Sequence, residues 1–196
     1  KGEILMFDNP RDALGIALKY LGYSQNTEDA AEITEAMDLL IDQKERGLVQ
    51  AYVMDQIFEK LESGEAAIGP YYAGDYLTMV EENPDLRFCV PKEGSNIFVD
   101  AMCVPKGATN YDNAMAFINF MCEPEIIARN SEVTGYSVPS RAAYELLSED
   151  LQESTVAYPP ADVISRCETF KLLGDETLAL YDSEWTRLGM AKSGSK

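Results

Sequence analysis

Histidine is absent from the 196 residues of this chain. Its absence removes imidazole metal ligands and every nucleophile triad that relies on a histidine base, so an enzymatic reading starts without its usual apparatus. Positive charge is scarce as well: 16 Lys and Arg stand against 34 Asp and Glu, a net charge of -18 at pH 7. A surface of that sign repels phosphate backbones and anionic lipid and draws in cations, which excludes nucleic acid as a partner. There is no apolar run of the roughly 18 residues or more that a membrane span needs. Four cysteines, Cys89, Cys103, Cys122 and Cys167, form no CxxC pair, and three stand in apolar company. They read as small buried hydrophobes rather than as metal ligands or a redox dithiol, although spacing alone leaves disulfides open. No cofactor or metal is expected. The chain opens KGEILMF, without a methionine or a leader segment, and reads as cut from a longer protein.

What is present points to an α/β protein. With 46% apolar residues, a chain of this length buries a sizeable core, as one domain or as one lobe with part of another. EILMFD (3–8) reads as a strand. It is followed by Asn9-Pro10-Arg11-Asp12, where Asn caps a helix, Pro suits its first position and Asp falls in its first turn. That helix is predicted to reach about Leu21 and to stop at Gly22. A second follows Asn26-Thr27, carries Ile33, Met37, Leu40 and Ile41 on one buried face, and ends near Gly47. LVQAYVM (48–54), EAAIGPYY (65–72), LRFCVP (86–91) and IFVDAMCVP (97–105) are predicted strands. Asp55 heads the helix QIFEKLES, Gly74-Asp75 heads YLTMVEEN, and 114–132 reads as two helices divided near Pro124. The only tryptophan, Trp185, reads as packing in a terminal helix, and only the MAKSGSK tail looks loose. This alternation predicts a largely parallel sheet flanked by helices.

In such sheets ligands bind beyond the carboxyl ends of the strands, which gathers Asn9, Asp12, Asp55, Tyr71, Tyr72 and Asp75 in one neighbourhood. Aromatic faces attract ammonium groups by roughly 0.5–2 kcal/mol, and carboxylates accept charge-assisted hydrogen bonds from them. Together they would make a box for an amine. The same residues have a plainer use: Asn9 with Asp12 fits a capping pair, Asp55 and Asp75 are placed to cap helices, and strand-end tyrosines commonly pack with one wet hydroxyl. Helix N-termini are partly positive, so a cation site among them needs carboxylates to reverse the local sign.

Ordered motifs go further. LRFCVPKEGSNIFVDAMCVPKGA (86–108), NAMAFINF (113–120), a helix led by Pro124 and GYSVPS (135–140) resemble, in that order, the second half of the spermidine/putrescine-binding proteins of ABC importers. ILMFDNPRDALGIALKYLGYSQNT (4–27) and IGPYYAGDY (68–76) are similar to the same family, and the likeness weakens after about residue 160. The resemblance implies an α/β, type II periplasmic-binding-protein-like lobe, a mostly parallel sheet flanked by helices, plus a fragment of the other lobe. Residues 1–99 would form most of the second lobe, 100–140 would cross to the first, and 141–196 would return with a flexible tail. It implies a non-catalytic extracytoplasmic subunit, periplasmic or lipid-anchored on the outer face of the cell membrane, that delivers polyamine to an ABC permease.

Ligand contacts carried over from the family are Asn9 and Asp12, at two of its acidic positions, and Tyr71 and Phe98, at aromatics that stack on the methylene chain. Asp100 matches the acid that grips an amine, and Tyr136 a tyrosine near the cleft. A further polar contact falls near Met54 or Asp55 without a choice between them, and another, near Thr169 or Phe170, is not recognisable. Tyr72 and Tyr76 are left to packing and Asp75 to its helix cap. Another small cationic or organic solute is the alternative ligand, and an acid-pair enzyme on Asp12 and Asp100 the alternative class. The missing N-terminal half is an expected partner. Segment 100–140, without its sheet neighbour, is expected to pair with a second copy as a swapped homodimer or to fold back onto its own lobe.

Overall fold

Strand β1 (Ile4–Phe7) pairs in parallel with β2 (Val49–Val53), with Leu5 opposite Ala51 and Phe7 opposite Val53. Its other edge meets Ile68 in a single parallel bridge. The computed structural model describes residues 3–194. After β1 come helices α1 (Pro10–Leu21) and α2 (Ala30–Glu45), and β2 is followed by α3 (Gln56–Glu62) and α4 (Ala73–Glu82). Strand β3 (Asn96–Ile97) precedes α5 (Tyr111–Met121), α6 (Pro124–Thr134) and three one-turn helices, α7 (Arg141–Tyr144), α8 (Glu149–Gln152) and α9 (Ala161–Ile164). Strand β4 (Glu168–Thr169) pairs in parallel with β3 and leads into α10 (Asp175–Met190). Among the described residues no helix is long and apolar enough to cross a membrane.

The pleat of β1 divides the core. Alternate side chains face opposite sides of a sheet, so Met6 joins Leu14 and Leu18 of α1, Met37 of α2 and Tyr181 and Leu188 of α10. Leu5 and Phe7 face the other way, onto Ile57 and Ala66 with Tyr71 and Tyr72 at the margin. Trp185 packs at the edge of the first core, its ring edge-on to Tyr52. A third cluster, Ala128, Leu147, Leu151 and Ala157, joins α6 to α8 and reaches Leu77 of α4.

Local signals set the first helix. Asn9 is extended (φ -148) and its side chain accepts from the backbone N–H groups of Arg11 and Asp12, Pro10 opens the helix, and Gly22 closes it at φ 86. The second helix starts later than Asn26-Thr27 suggests. Asp29 is its cap, accepting from Ala31 N at 2.8 Å, because the Asn26 amide is used elsewhere: it donates to Thr169 O at 2.9 Å and accepts from Lys171 N at 2.8 Å. Asp55 makes no side-chain cap bond to α3 and has helical backbone angles, so it is not the cap it was expected to be.

Three predicted strands fall short, and of 65–72 only the single bridge at Ile68 remains. Residues 86–91 belong to no helix or strand, with Leu86, Phe88 and Val90 half-buried and Arg87, Cys89 and Pro91 exposed. That is a strand's alternation without a pairing strand among the described residues. Of 97–105 only Ile97 belongs to a strand. Beyond it the chain stays uncovered: α5 buries no residue, and Met102, Phe117 and Phe120 are 48%, 58% and 46% exposed. Residues 101–121 therefore do not fold back onto the lobe, whereas the rest of the segment does, α6 reaching Leu77 of α4 and Tyr136 lying on Gly74. The cysteines follow the same pattern, since Cys89, Cys103 and Cys122 are exposed and only Cys167 is partly covered, all four as free thiols. Their apolar sequence neighbours suggested burial that these surfaces do not provide. The tail is tied in as far as Gly194, whose N–H donates to Lys44 O at 3.1 Å; the rest of the tail expected to be loose lies outside the described residues.

Candidate ligand-binding site

Seven side chains from five parts of the chain line an open cavity of about 370 Å³: Asp12, Tyr72, Asn96, Phe98, Asp100, Tyr136 and Phe170. That size suits a small organic molecule. Asp12 sits in the first turn of α1, half-buried, and its Oδ1 accepts from Asn96 Nδ2 at 3.5 Å. Burial raises its carboxyl above the ordinary value of 3.8, with the neighbouring Arg11 charge pulling the other way. Arg11 is engaged elsewhere. Its guanidinium lies 4.6 Å over the Phe170 ring and 5.5 Å from that of Tyr181, and donates to Gln25 O and Lys171 O. It thus braces Phe170 from outside the cavity lining.

The aromatic wall is continuous. Tyr72, just ahead of α4, stacks on Phe7 at 5.5 Å and meets Phe98 edge-on at 5.4 Å, and Phe98 meets Tyr136 edge-on at 6.0 Å. Burial is the main reason the Tyr72 hydroxyl is raised, followed by the charges of Asp12, Asp75, Asp55 and Asp100. Four carboxylates therefore act on one ring.

Tyr136 is fixed by two neighbours. Its hydroxyl donates to Asp75 Oδ2 at 2.8 Å, and its ring covers Gly74 so closely that a Cβ there would come within 2.5 Å of it. Burial first, then the Asp75 bond, push its phenol well up. Asp75 is accordingly no cap. The residue before α4 is Tyr72, without a side-chain cap bond, and Asp75, inside the first turn, serves Tyr136 instead.

Of the six residues expected at the site, Asp12, Phe98, Asp100 and Tyr136 line this cavity and Asn9 and Tyr71 do not. The Asn9 Oδ1 is occupied by Arg11 N at 2.9 Å and Asp12 N at 3.4 Å. Tyr71 packs its ring among Phe7, Phe58 and Tyr72 at 5.3–6.4 Å, and burial is the main reason its hydroxyl is pushed up to about 12. Met54 belongs to the second core, and Asp55 is exposed. Tyr72 and Asn96 are additions, and Phe170 lies where a contact near Thr169 or Phe170 was expected but not recognisable. Asn96 had a readable signal, since in extended chain Asn96, Phe98 and Asp100 share one face at a spacing of two. For the tyrosines, adjacent extended residues point to opposite sides, and parity alone does not say which faces the cleft.

A family model described as bacterial extracellular solute-binding protein matches residues 1–159. The chain belongs to that family. Among curated members, the chain is 30% identical over 195 residues to the putrescine-binding periplasmic protein SpuD of Pseudomonas aeruginosa, covering 96% of the present chain and 53% of the relative. It is 31% identical over 188 residues to a spermidine/putrescine-binding periplasmic protein of Salmonella typhimurium, with the same coverage. A solved structure, the putative spermidine/putrescine ABC transporter from Listeria monocytogenes, superposes with a TM-score of 0.89 at 35% identity, over 97% of this chain and 58% of that one. The α/β lobe expected of a type II binding protein is thus the fold observed. The chain spans about half the length of the curated relatives it matches.

Proposed function

We propose that the full-length protein is an extracytoplasmic solute-binding subunit of an ABC importer, that its ligand is a polyamine of the spermidine or putrescine kind, and that it delivers this ligand to a permease without chemical turnover. The observation that carries the reading is the wall itself: an aromatic surface of Tyr72, Phe98 and Tyr136 set between Asp12 and Asp100, with the neighbouring cation Arg11 already held against Phe170. Alkyl-ammonium chains fit such a surface, methylenes on ring faces and nitrogens on carboxylates. The names of the relatives and their periplasmic setting favour the same class of ligand and compartment. The division into 1–99, 100–140 and 141–196 is part of this proposal. It is supported by α10 packing against α1 and α2 and by the uncovered face of α5, which the missing half or a second copy would cover. Asp12 and Asp100 have no nucleophile and base partner between them, so the acid-pair enzyme is not favoured.

Isothermal calorimetry of the full-length protein with spermidine and putrescine is the direct test. Binding should be detected, and Asp100→Asn should weaken it about tenfold or more, as loss of a charge-assisted bond predicts. Unchanged affinity would take Asp100 out of the site, and no heat with either amine would reject the ligand class. The two adjacent tyrosines should behave differently from each other. Tyr72→Ala is expected to lower affinity by about 1 kcal/mol or more. Tyr71→Ala should act mainly on stability, by about 3 kcal/mol, as removal of a packed ring does. Thermal melts run beside binding curves separate the two, and a reversed pattern would assign the ligand face to Tyr71.

A further inference from the structure

The side-chain amide of Asn26 is fully engaged. Its Oδ1 accepts from Lys171 N at 2.8 Å and from the Arg11 guanidinium at 3.3 Å, and its Nδ2 donates to Thr169 O at 2.9 Å and to Glu168 Oε2 at 3.4 Å. An asparagine amide offers two lone pairs and two N–H donors, and all four are used. The two shorter bonds flank Phe170, one to the carbonyl before it and one to the amide after it. One residue of a parallel neighbour strand makes the same pair of bonds, and here a side chain supplies them where β4 ends at Thr169. We propose that Asn26 is a positioning residue of the ligand site: it holds Phe170 in the cavity wall and, through that ring, sets the affinity for the ligand.

The ring is supported from two further sides. The Arg11 guanidinium lies 4.6 Å over it, and one edge approaches α1 at Gly15, where a Cβ would stand 3.6 Å from the ring's Cε1. Arg11 is held in turn by Gln25 O at 3.4 Å and Lys171 O at 3.3 Å, so the bracket around Phe170 and the cover over its ring form one network. The β3–β4 ladder aligns only Glu168 and Thr169, and Asn26 carries the hold past its end. A wall already in place when a ligand arrives needs no ordering on binding, which is where its contribution to affinity comes from. Asn26 is also the member of the network that isolates this effect. Loss of Arg11 would change the charge beside Asp12, whereas Asn26 is neutral and stands outside the cavity lining. This role rests on the amine reading above for its ligand alone; the hold on Phe170 can be read without one.

Two measurements on the full-length protein test it: amide exchange read residue by residue without ligand, and calorimetry with spermidine. In Asn26→Ala the Lys171 amide should exchange at least about tenfold faster than in the natural protein, and affinity should fall about tenfold. Phe170→Ala should lower affinity at least as far. Adding Asn26→Ala to it should cost less than about a further twofold, because a residue that acts through the ring then has nothing to position. A merely structural role would lose the same factor in both backgrounds. Ser24→Ala is the control, since Ser24 bonds to Glu168 in the same join but to neither neighbour of Phe170; it should lower the melting temperature and leave affinity within about twofold. If Asn26→Ala does not fold, Asn26→Asp replaces it: its carboxylate still accepts from Lys171 N but cannot donate to Thr169 O, so affinity should fall while Lys171 exchange stays slow. Unchanged exchange at Lys171 in Asn26→Ala, unchanged affinity, equal losses in both backgrounds, or an equal loss in Ser24→Ala would each overturn the proposal. No heat from the natural protein would instead reject the ligand class, and exchange at Lys171 would still decide whether Asn26 holds Phe170.

Discussion

Asp12→Asn should remove most of the affinity of the full-length protein for a polyamine, by about 2 kcal/mol or more, near 30-fold, while the ligand-free protein melts at the same temperature or higher. The asymmetry follows from burial. The Asp12 carboxyl is raised in the folded protein by desolvation, which Arg11 only partly offsets. An acid with a raised pKa takes up protons on folding, so between its ordinary value of 3.8 and the raised one stability falls as pH rises. Above that window the ionised group weakens the empty fold, and the penalty vanishes as pH falls below it. An ammonium reverses the preference by favouring the charged form. Affinity should therefore be full at neutral pH and decline as acid titrates Asp12. Calorimetry in two buffers of different ionisation enthalpy should detect proton release on binding in the acid range for the natural protein and less for Asp12→Asn. If that variant binds as tightly as the natural protein, Asp12 is not a ligand group.

Gly94→Ala should be among the most damaging single changes. Gly94 has φ 92 and its missing Cβ would be driven into the carbonyl oxygen of Arg166. A side chain there meets two penalties, the left-handed backbone, about 1–2 kcal/mol, and a collision with main chain that cannot swing aside. A loss of about 3 kcal/mol or more, roughly 6–12 °C in melting temperature, is expected. Binding should suffer with it. The same approach brings Ser95 O to Glu168 N at 3.0 Å and aligns Asn96 with Glu168, which places Phe98 and Asp100 in one cavity with Phe170. Gly107→Ala is the control, since no atom lies within 4 Å of a Cβ there. Equal melting of the two variants would contradict this account.

What the sequence discloses divides along the reach of the interactions. The first helix was legible to the residue because Asn9, Pro10 and Gly22 act within a turn of their own positions. The split at Pro124 was legible for the same reason. The alternation at 86–91 was legible but its lack of a partner was not, because a ladder belongs to two segments and only one is local. Asp55 and Asp75 had the same pattern, an acid at a helix start. One is exposed and uncapping, and the other is bound to a phenol 61 residues away. Only the fold separates them. For the site, the acids and Phe98 could be proposed by likeness, whereas Tyr72 in place of Tyr71 depends on which side of the chain meets Phe98. Exposure of the cysteines was unreadable because apolar neighbours in sequence are not cover in space.

The β3–β4 ladder is two residues long and joins Asn96 to Glu168, 168 − 96 = 72 positions apart. Closing a loop of that length costs about 4 kcal/mol of chain entropy, which two ladder pairs alone do not offset. The join is secured by Glu168 bonding to Lys19 at 3.0 Å and Ser24 at 2.5 Å. During synthesis Phe170 follows Asn96 by roughly 4–15 s at about 5–20 residues per second. The carboxylate of Asp12 and the ring of Tyr72 are thus made well before Phe170, which lines the same cavity. The cavity is therefore complete only once residues 168–170 have joined the part of the chain that was made first.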